Sequence, residues 1–237
     1  MKKITIVGAG RVGEATAQLI AQEDLCKELM LMDIREGVPQ GVALDIQETA
    51  PLLGFDTKVN GCHQANGIAD SNLVIITAGL PRKDGMSRSD VLEVNINIID
   101  DIVQSIVKYA PDAIVLLVSN PIDTLTYEAF KRSGFDRHRI IGQAGVLDST
   151  RMASFIAMES GLSAKDIDAM VLGGHGDTMV PMIRFTTISG IGIEYLLDAE
   201  LIEDIVERTR NGGAEILSLR KNSSAYDAPA AAITAMV

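Results

Sequence analysis

Short apolar runs alternate with helical patterns over the first 145 residues. Six runs of four or five residues are rich in aliphatic and β-branched side chains, as buried strands are: 3–7, 28–32, 57–60, 73–77, 114–118 and 139–142. Between them, residues 14–21 and 89–109 carry apolar side chains at helical spacing. This alternation predicts an α/β fold with a doubly wound parallel sheet of the Rossmann type. In such a sheet, ligands bind at the carboxyl ends of the strands.

From about residue 146 the pattern changes to a mixture of helices and shorter strands. A helix is predicted over 148–159, with Met152, Phe155, Ile156 and Met158 available to a core. A strand at 168–172, a hairpin at 182–188 and 190–193, and an amphipathic helix at 201–210 follow. We therefore expect a dinucleotide-binding domain over 1–145 and an α+β substrate domain over 146–237. The sequence stops inside an apparent helix without a stop signal, so the second domain is expected to be C-terminally incomplete.

The composition and charge of the chain argue against some classes of binding partner. Apolar residues make up 47% of the chain and the formal net charge is −11, which argues against nucleic acid or an anionic membrane as a partner. No apolar run approaches the ~20 residues of a membrane-spanning helix. Cys26 and Cys62 have no metal or redox spacing, so we predict no metal site and two reduced thiols in a cytoplasmic protein.

The first predicted strand leads into a glycine-rich turn that has dinucleotide-binding spacing. The turn comprises Gly8, Ala9, Gly10, Arg11, Val12 and Gly13. Its three glycines permit a tight turn, close approach of a pyrophosphate, and close packing of helix on strand. Asp33 ends the second strand, 20 residues after Gly13, where an acid binds the adenosine ribose diol. A carboxylate there repels a 2′-phosphate, so NAD is predicted over NADP.

Two further strand ends carry polar groups. The fourth strand is followed by a loop that contains Arg82, Lys83 and Arg88. Its place above the cofactor crevice favours a lid that grips an anion over an ordinary solvated loop. The fifth strand ends at Ser119-Asn120-Pro121, where Asn120 offers both a donor and an acceptor.

His175 is a candidate proton acceptor. Of the three histidines, it alone is flanked by glycines, in the sequence Gly173-Gly174-His175-Gly176-Asp177. An imidazole can take or give a proton near neutral pH. Considered alone, however, this stretch is better explained as a glycine-rich surface turn.

In combination these motifs resemble the lactate/malate dehydrogenase family, over the whole chain and in order. The resemblance is carried by 8–13, 78–83, 85–88, 118–121, 145–151 and 173–177. It is strongest with the bacterial, lactate-dehydrogenase-like group of malate enzymes, as 37–41, 225–226 and 228–230 indicate. The resemblance implies NAD as cofactor and a homodimer or homotetramer.

The resemblance also implies roles for individual residues. His175 would accept the proton of the substrate hydroxyl, and Asp148 would orient its imidazole. Arg151 would bind the C1 carboxylate, Arg88 and Asn120 would bond to the reacting oxygen, and Arg82 would face the distal end of the substrate. The nicotinamide side would be lined by Asn95, Val118, Ser119 and Asn120.

The chemistry of the residues agrees with these roles. Removing hydride from a secondary alcohol requires a base for the hydroxyl proton, and a guanidinium binds a carboxylate in two places. Arg151 follows Asp148 by three residues, so both would share one helix face, although an i,i+3 surface ion pair has the same spacing. Asp84 stands where close relatives usually carry proline, which leaves substrate affinity open.

Substrate choice depends on Arg82. In the family, a cation at this position matches a second carboxylate, as in (S)-malate and oxaloacetate, whereas a neutral residue suits lactate and pyruvate. NAD-dependent interconversion of malate and oxaloacetate is therefore expected. Two alternatives remain: a lactate or other 2-hydroxy acid dehydrogenase, and a non-catalytic NAD-binding fragment.

Overall fold

The structure, a computed structural model, describes residues 1–80, 88–176, 178–221 and 224–237, with the main chain only for 88–90. Contacts divide the chain into two compact units. One comprises Met1–Gln143 with Ile233–Ala235 and Val237, and the other comprises Ala144–Ala232 with Met236. Among the described residues, no helix is both long enough and apolar enough to cross a bilayer.

The first unit is built on a six-stranded sheet. Its strands are β1 (Lys3–Val7), β2 (Glu28–Met32), β3 (Lys58–Cys62), β4 (Leu73–Ile76), β5 (Ile114–Leu117) and β6 (Ile140–Gly142). All neighbouring pairs are parallel, in the order β3-β2-β1-β4-β5-β6. This is the doubly wound Rossmann order, and it confirms the fold predicted from the alternating pattern.

Helices connect these strands. They are α1 (Arg11–Gln22), α2 (Val38–Glu48), α3 (Ala50–Leu53), α4 (Arg88–Tyr109) and α5 (Ile122–Ser133), with 3-10 turns at Ala65–Ile68 and Arg137–Arg139. Every residue of β4 is buried, as expected for a strand that is covered on both faces. Because the strands are parallel, the residues that follow β1, β2, β4 and β5 lie along one edge of the sheet.

The described part of the second unit combines helices with very short strands. Its elements are α6 (Gly145–Ser160), β7 (Ile167–Asp168), β8 (Val171–Gly173), β9 (Met179–Pro181), β10 (Thr187–Ile188), β11 (Ile191–Gly192) and α7 (Ala199–Arg220), and α8 (Asp227–Met236) follows. Antiparallel pairing gives the sheets β11-β10-β7 and β8-β9. Its core draws on α6, α7 and these strands, with Met152, Ile156 and Ile193 fully buried.

Three details of the second unit differ from the sequence prediction. The single strand predicted at 168–172 is two strands, because the chain leaves the β10 partner and joins β9. The predicted strand at 182–188 begins as a 3-10 helix, Ile183–Phe185, and only Thr187–Ile188 pairs in the hairpin. Met158 is 64% exposed and lies outside the core. In each case the prediction rested on apolar residue type, which does not show where pairing ends or which helix face is covered.

Candidate active site

The glycine-rich turn lies between β1 and α1 and has the backbone that its glycines allow. Gly8 has φ +112°, and a Cβ there would lie 2.6 Å from the main-chain nitrogen of Ala78. A Cβ on Gly13 would collide with the carbonyl oxygen of Gly8, which accepts a hydrogen bond from Thr77 Oγ1 at 2.9 Å. A larger residue at Gly8 would therefore collide with the chain after β4, and one at Gly13 would push α1 away from the end of β1.

Gly10 differs from the other two glycines because a Cβ there would meet nothing within 4 Å. The turn is thus open on the Gly10 side, where it precedes the N-terminus of α1. Among the described residues, no side chain makes a capping hydrogen bond at this helix end. Main-chain N–H groups at a helix N-terminus bind phosphate, so the turn fits the pyrophosphate of a dinucleotide.

Asp33 follows β2 at the same edge of the sheet and binds back to the glycine-rich turn. Its Oδ2 accepts from the main-chain nitrogen of Ala9 at 2.9 Å. Hydrogen bonds from the Arg35 side chain, aided by those from the Arg35 and Ala9 nitrogens, lower the pKa of Asp33 to about 2 against the cost of burial. The carboxylate is therefore ionised throughout the physiological pH range.

Asn95 joins the ends of β4 and β5. Its side chain is buried, with Oδ1 accepting from the Leu80 nitrogen at 2.7 Å and Nδ2 donating to the Asn120 carbonyl at 3.0 Å. Ser119 is also buried, and its Oγ donates to the Ala78 carbonyl at 2.5 Å. Val118 is partly buried and Asn120 is exposed. The Asn95 amide thus holds main chain in place, a role that sequence reasoning did not assign to it.

In the second unit, one buried carboxylate joins the two residues that the sequence singled out. Asp148 and Arg151 lie on α6, one turn apart, and Arg151 Nη1 donates to Asp148 Oδ1 at 3.1 Å. His175 lies between β8 and β9, and its Nδ1 is 2.9 Å from Asp148 Oδ2. Asp148 is only 2% exposed, so it exchanges hydration for these two partners. The Asp148–Arg151 pair is therefore buried and is not an ordinary surface ion pair.

The glycines around His175 set the direction of its loop. Gly173 has φ +85° and Gly176 has φ +127°, conformations that strain other residues. Ser149 also holds this loop, because its Oγ accepts from the Val171 nitrogen at 2.9 Å and so fixes β8 on α6. Sequence reasoning missed Ser149, since a serine inside a helix gives no signal of a distant partner.

The Asp148 carboxylate determines what His175 can do. A carboxylate accepts from Nδ1–H, and the tautomer that it favours has its acceptor lone pair on Nε2. When Nε2 takes a proton, the same carboxylate stabilises the resulting imidazolium. The arrangement is thus suited to a general base that later returns its proton as a general acid.

Arg151 is a buried cation beside the same carboxylate. Its side chain is 10% exposed. Burial lowers the pKa of Arg151, and Asp148 opposes this shift, but a guanidinium stays protonated under all ordinary conditions. The bond to Asp148 engages one N–H of five, so the group retains the fork geometry that suits a carboxylate.

Gly212 on α7 makes room for Arg151. A Cβ at Gly212 would collide with Arg151 Cδ and would lie 2.9 Å from Nε. The neighbouring Gly213 has nothing within 4 Å of its Cβ position. Sequence reasoning missed Gly212, although two glycines within a helical pattern signal a close approach.

Several residues that the sequence singled out have no described side chain. Arg82, Lys83, Asp84 and Asp177 are outside the described residues. Arg88 begins α4, but its side chain is not described. The structure therefore brings together His175, Asp148 and Arg151 in one unit, and the glycine-rich turn, Asp33, Asn95 and Ser119 in the other.

Both units match models of one family. Residues 2–142 match the lactate/malate dehydrogenase NAD binding domain, and residues 145–237 match the lactate/malate dehydrogenase alpha/beta C-terminal domain. These two matches together span nearly every residue. The glycine-rich turn and Asp33 lie within the first match, and the group of Asp148, Arg151 and His175 lies within the second.

Individual relatives agree with the models. The malate dehydrogenase of Thioalkalivibrio sulfidiphilus is 63% identical over all 237 residues, which cover 77% of that protein. The malate dehydrogenase structure from Picrophilus torridus has a TM-score of 0.96 at 44% identity, over 99% of this chain and 74% of that one. A lactate dehydrogenase of Cryptosporidium parvum, solved with lactic acid and NAD, has a TM-score of 0.93 at 38% identity, over 99% and 75%. With both domain models matched in sequence and both kinds of structure matched in fold, the chain belongs to the lactate/malate dehydrogenase family.

Proposed function

We propose that this chain is an NAD-dependent malate dehydrogenase, which interconverts (S)-malate and oxaloacetate. The observation that carries the proposal is the buried Asp148 carboxylate, with His175 at 2.9 Å and Arg151 at 3.1 Å. A proton acceptor thus lies next to a cation that suits the carboxylate of a 2-hydroxy acid. The 63% identity to a malate dehydrogenase over the whole chain supports the substrate.

The proposed reaction divides between the protein and the bound cofactor. Arg151 holds the C1 carboxylate of malate and so orients C2 and its hydroxyl. His175 Nε2 takes the hydroxyl proton, and Asp148 stabilises the imidazolium that forms. When bound, NAD supplies the nicotinamide that accepts the hydride from C2. Reduction of oxaloacetate runs the same steps backwards, with His175 returning its proton to the oxygen.

The other family roles complete the proposed site. Arg88 and Asn120 would bond to the reacting oxygen, and Arg82 would bind the second carboxylate. The glycine-rich turn would hold the pyrophosphate and Asp33 the adenosine ribose. Asn95, Val118, Ser119 and Asn120 would line the nicotinamide side. The hydrogen bonds of the buried Asn95 and Ser119 side chains, which hold the main chain there, support this assignment.

We also propose a cytoplasmic homo-oligomer, a dimer or a tetramer, acting in the tricarboxylic acid cycle. The two free cysteines support a reducing compartment. Burial raises the pKa of the Cys26 thiol to about 11, which keeps it protonated and unreactive. Oligomer formation is inferred from the family alone. We propose a domain boundary near residue 145, which agrees with the division of contacts after Gln143.

A comparison of two keto acids tests the proposed function. With NADH, kcat/KM for oxaloacetate is expected to exceed that for pyruvate by about 10³-fold or more, because pyruvate has no second carboxylate to pair with Arg82. Equal rates on both acids would favour a broad 2-hydroxy acid dehydrogenase. Saturable NADH binding without turnover of either acid would favour a non-catalytic NAD-binding protein.

Enlarging Gly212 tests the proposed role of Arg151. In Gly212→Ala the new methyl group displaces the Arg151 stem, so KM for oxaloacetate is expected to rise on the order of 10- to 100-fold while the Kd of NADH stays the same. Alanine favours a helix over glycine, so unfolding is not the expected cause. Gly213→Ala is the matched control, with open space at its Cβ position. Equal effects of the two variants on KM would contradict the steric account.

A further inference from the structure

We propose that Arg35 sets the cofactor selectivity of this chain, by pairing with the carboxylate that the adenosine ribose must bind. The inference rests on the proposed role of Asp33 as the acceptor for the ribose diol. It goes further, because Asp33 alone predicts only that NAD is bound and NADP is rejected. The pair with Arg35 changes both the expected affinity for NAD and the expected rejection of NADP.

The acceptor positions of the Asp33 carboxylate are all occupied by hydrogen bonds within the protein. Arg35 Nε donates to Oδ1 at 2.8 Å and Arg35 Nη2 donates to Oδ2 at 2.8 Å, a two-point pair. The Arg35 nitrogen donates to Oδ1 at 3.0 Å and the Ala9 nitrogen to Oδ2 at 2.9 Å. A carboxylate offers about four acceptor positions, and these four bonds account for them.

The guanidinium also reaches the glycine-rich turn. Arg35 Nη2 lies 3.3 Å from the carbonyl oxygen of Ala9, so the cation spans Asp33 and the turn that would hold the pyrophosphate. The Arg35 side chain is 57% exposed and the Asp33 side chain only 10%. Arg35 therefore lies on the solvent side of the carboxylate, the side from which a cofactor arrives.

The first consequence is competition with NADH. The ribose diol must bond to Asp33 oxygens, and it can do so only when Arg35 releases at least one of them. Because the arginine is more than half exposed, the pair is screened by water and its release costs little. Removing the arginine is therefore expected to tighten NADH binding about two- to fivefold.

The second consequence concerns the 2′-phosphate of NADPH. A carboxylate that is paired with a guanidinium repels a phosphate less than a lone carboxylate does. The released guanidinium can in addition donate to the phosphate, since arginine binds phosphates at two points. Arg35 therefore reduces the discrimination against NADPH that Asp33 imposes.

The Arg35 variants separate these two effects because they move the two cofactors in opposite directions. The dissociation constants of NADH and NADPH are measured by nucleotide fluorescence on the whole chain, in the absence of substrate. In Arg35→Gln, the Kd of NADH is expected to fall about two- to fivefold and that of NADPH to rise about tenfold. Arg35→Lys keeps the charge without the fork, so both constants should fall between those of the parent and of Arg35→Gln.

Two further variants fix the interpretation. Arg137→Gln removes the same charge from an exposed position in the 3-10 turn Arg137–Arg139. It should change neither the Kd of NADH nor that of NADPH. Asp33→Asn should weaken NADH binding whatever Arg35 does. The proposal for Arg35 alone would be overturned if Arg35→Gln changed the Kd of NADH and the Kd of NADPH in the same direction while Asp33→Asn weakened NADH binding as expected. NADH binding that is unchanged in Asp33→Asn would overturn the role of Asp33 as well.

Discussion

Replacing His175 by asparagine is expected to lower kcat for oxaloacetate reduction by about 10³-fold or more, at the upper end of what a general acid contributes. Asparagine keeps a polar side chain of similar reach, but it cannot supply a proton to the alkoxide that develops at C2. NADH affinity should be unchanged, because the proposed cofactor residues lie in the other unit. Steady-state kinetics together with an NADH titration measure both quantities.

The histidines offer a matched control for this substitution. His138 lies exposed in a 3-10 helix of the first unit, so His138→Asn removes an imidazole without touching Asp148. This variant should keep kcat within about twofold of the parent value, because a substitution at an exposed position usually changes stability very little. If His175→Asn retained parental kcat, another group would have to handle the proton, and the Asp148–His175 pair would be structural.

Replacing Arg82 by glutamine is expected to narrow or invert the preference for oxaloacetate over pyruvate. The two substrates differ by one carboxylate, and in the proposed site Arg82 is the group that binds it. Removing the cation weakens oxaloacetate binding and relieves the penalty for leaving an arginine unpaired over a methyl group. A change of about 10³-fold in the ratio of kcat/KM values is expected, measured with both acids at one NADH concentration.

Lys83, the next residue in the sequence, serves as the control for charge. Lys83→Gln removes one positive charge from an adjacent position, so it tests whether net charge alone attracts the dicarboxylate. That variant should keep the oxaloacetate preference and should change only its dependence on salt. If Arg82→Gln kept the parental ratio of kcat/KM for the two acids, another residue would have to determine the specificity. That result would favour a dehydrogenase of broader 2-hydroxy acid specificity.

The first unit was predictable because each of its signals is local. β1 and β2 match the predicted bounds, since buried parallel strands are continuous apolar runs. The glycine spacing predicted both the tight turn at Gly8 and the close approach at Gly13, because only a residue without Cβ fits either place. The parallel order then carries Asp33 to the same edge of the sheet.

The second unit was less predictable because its strands are two or three residues long. Strands this short depend on pairing with distant partners, such as β7 with β10, and not on local propensity. Helical spacing predicted Asp148 and Arg151 on one helix face but did not distinguish a buried pair from a surface pair. The approach of His175 to Asp148 was inferred from the family resemblance. The Gly212–Arg151 contact joins residues 61 positions apart, α7 to α6, and no periodic pattern reports it.

The Arg35–Asp33 pair shows that the geometry around a motif can change what the motif predicts. The acid at the end of β2 has the spacing of a ribose acceptor, and the sequence therefore favours NAD. The arginine two residues later was visible in the sequence, but only geometry shows that it takes up the carboxylate. Selectivity thus depends on a pair of residues, although the fingerprint names one.

The fold alone does not separate malate from lactate as substrate. The Picrophilus torridus malate dehydrogenase and the Cryptosporidium parvum lactate dehydrogenase have TM-scores of 0.96 and 0.93 to this chain. In the proposed site, His175, Asp148 and Arg151 would act on the C1 carboxylate and the C2 hydroxyl, which both substrates share. The distinction must come from a residue that faces the remainder of the substrate, and Arg82 is the proposed one.

Transfer of deuterium tests the proposed chemistry most directly. The chain is incubated with oxaloacetate and with NADH that carries deuterium at both C4 positions of its nicotinamide, and the product is analysed by mass spectrometry and NMR. We predict that the parent chain forms malate with one deuterium at C2. In His175→Asn, the rate at which this labelled malate forms should be about 10³-fold lower. Malate without deuterium at C2, or the same labelled product at the same rate from both proteins, would contradict hydride transfer with His175 as the proton donor.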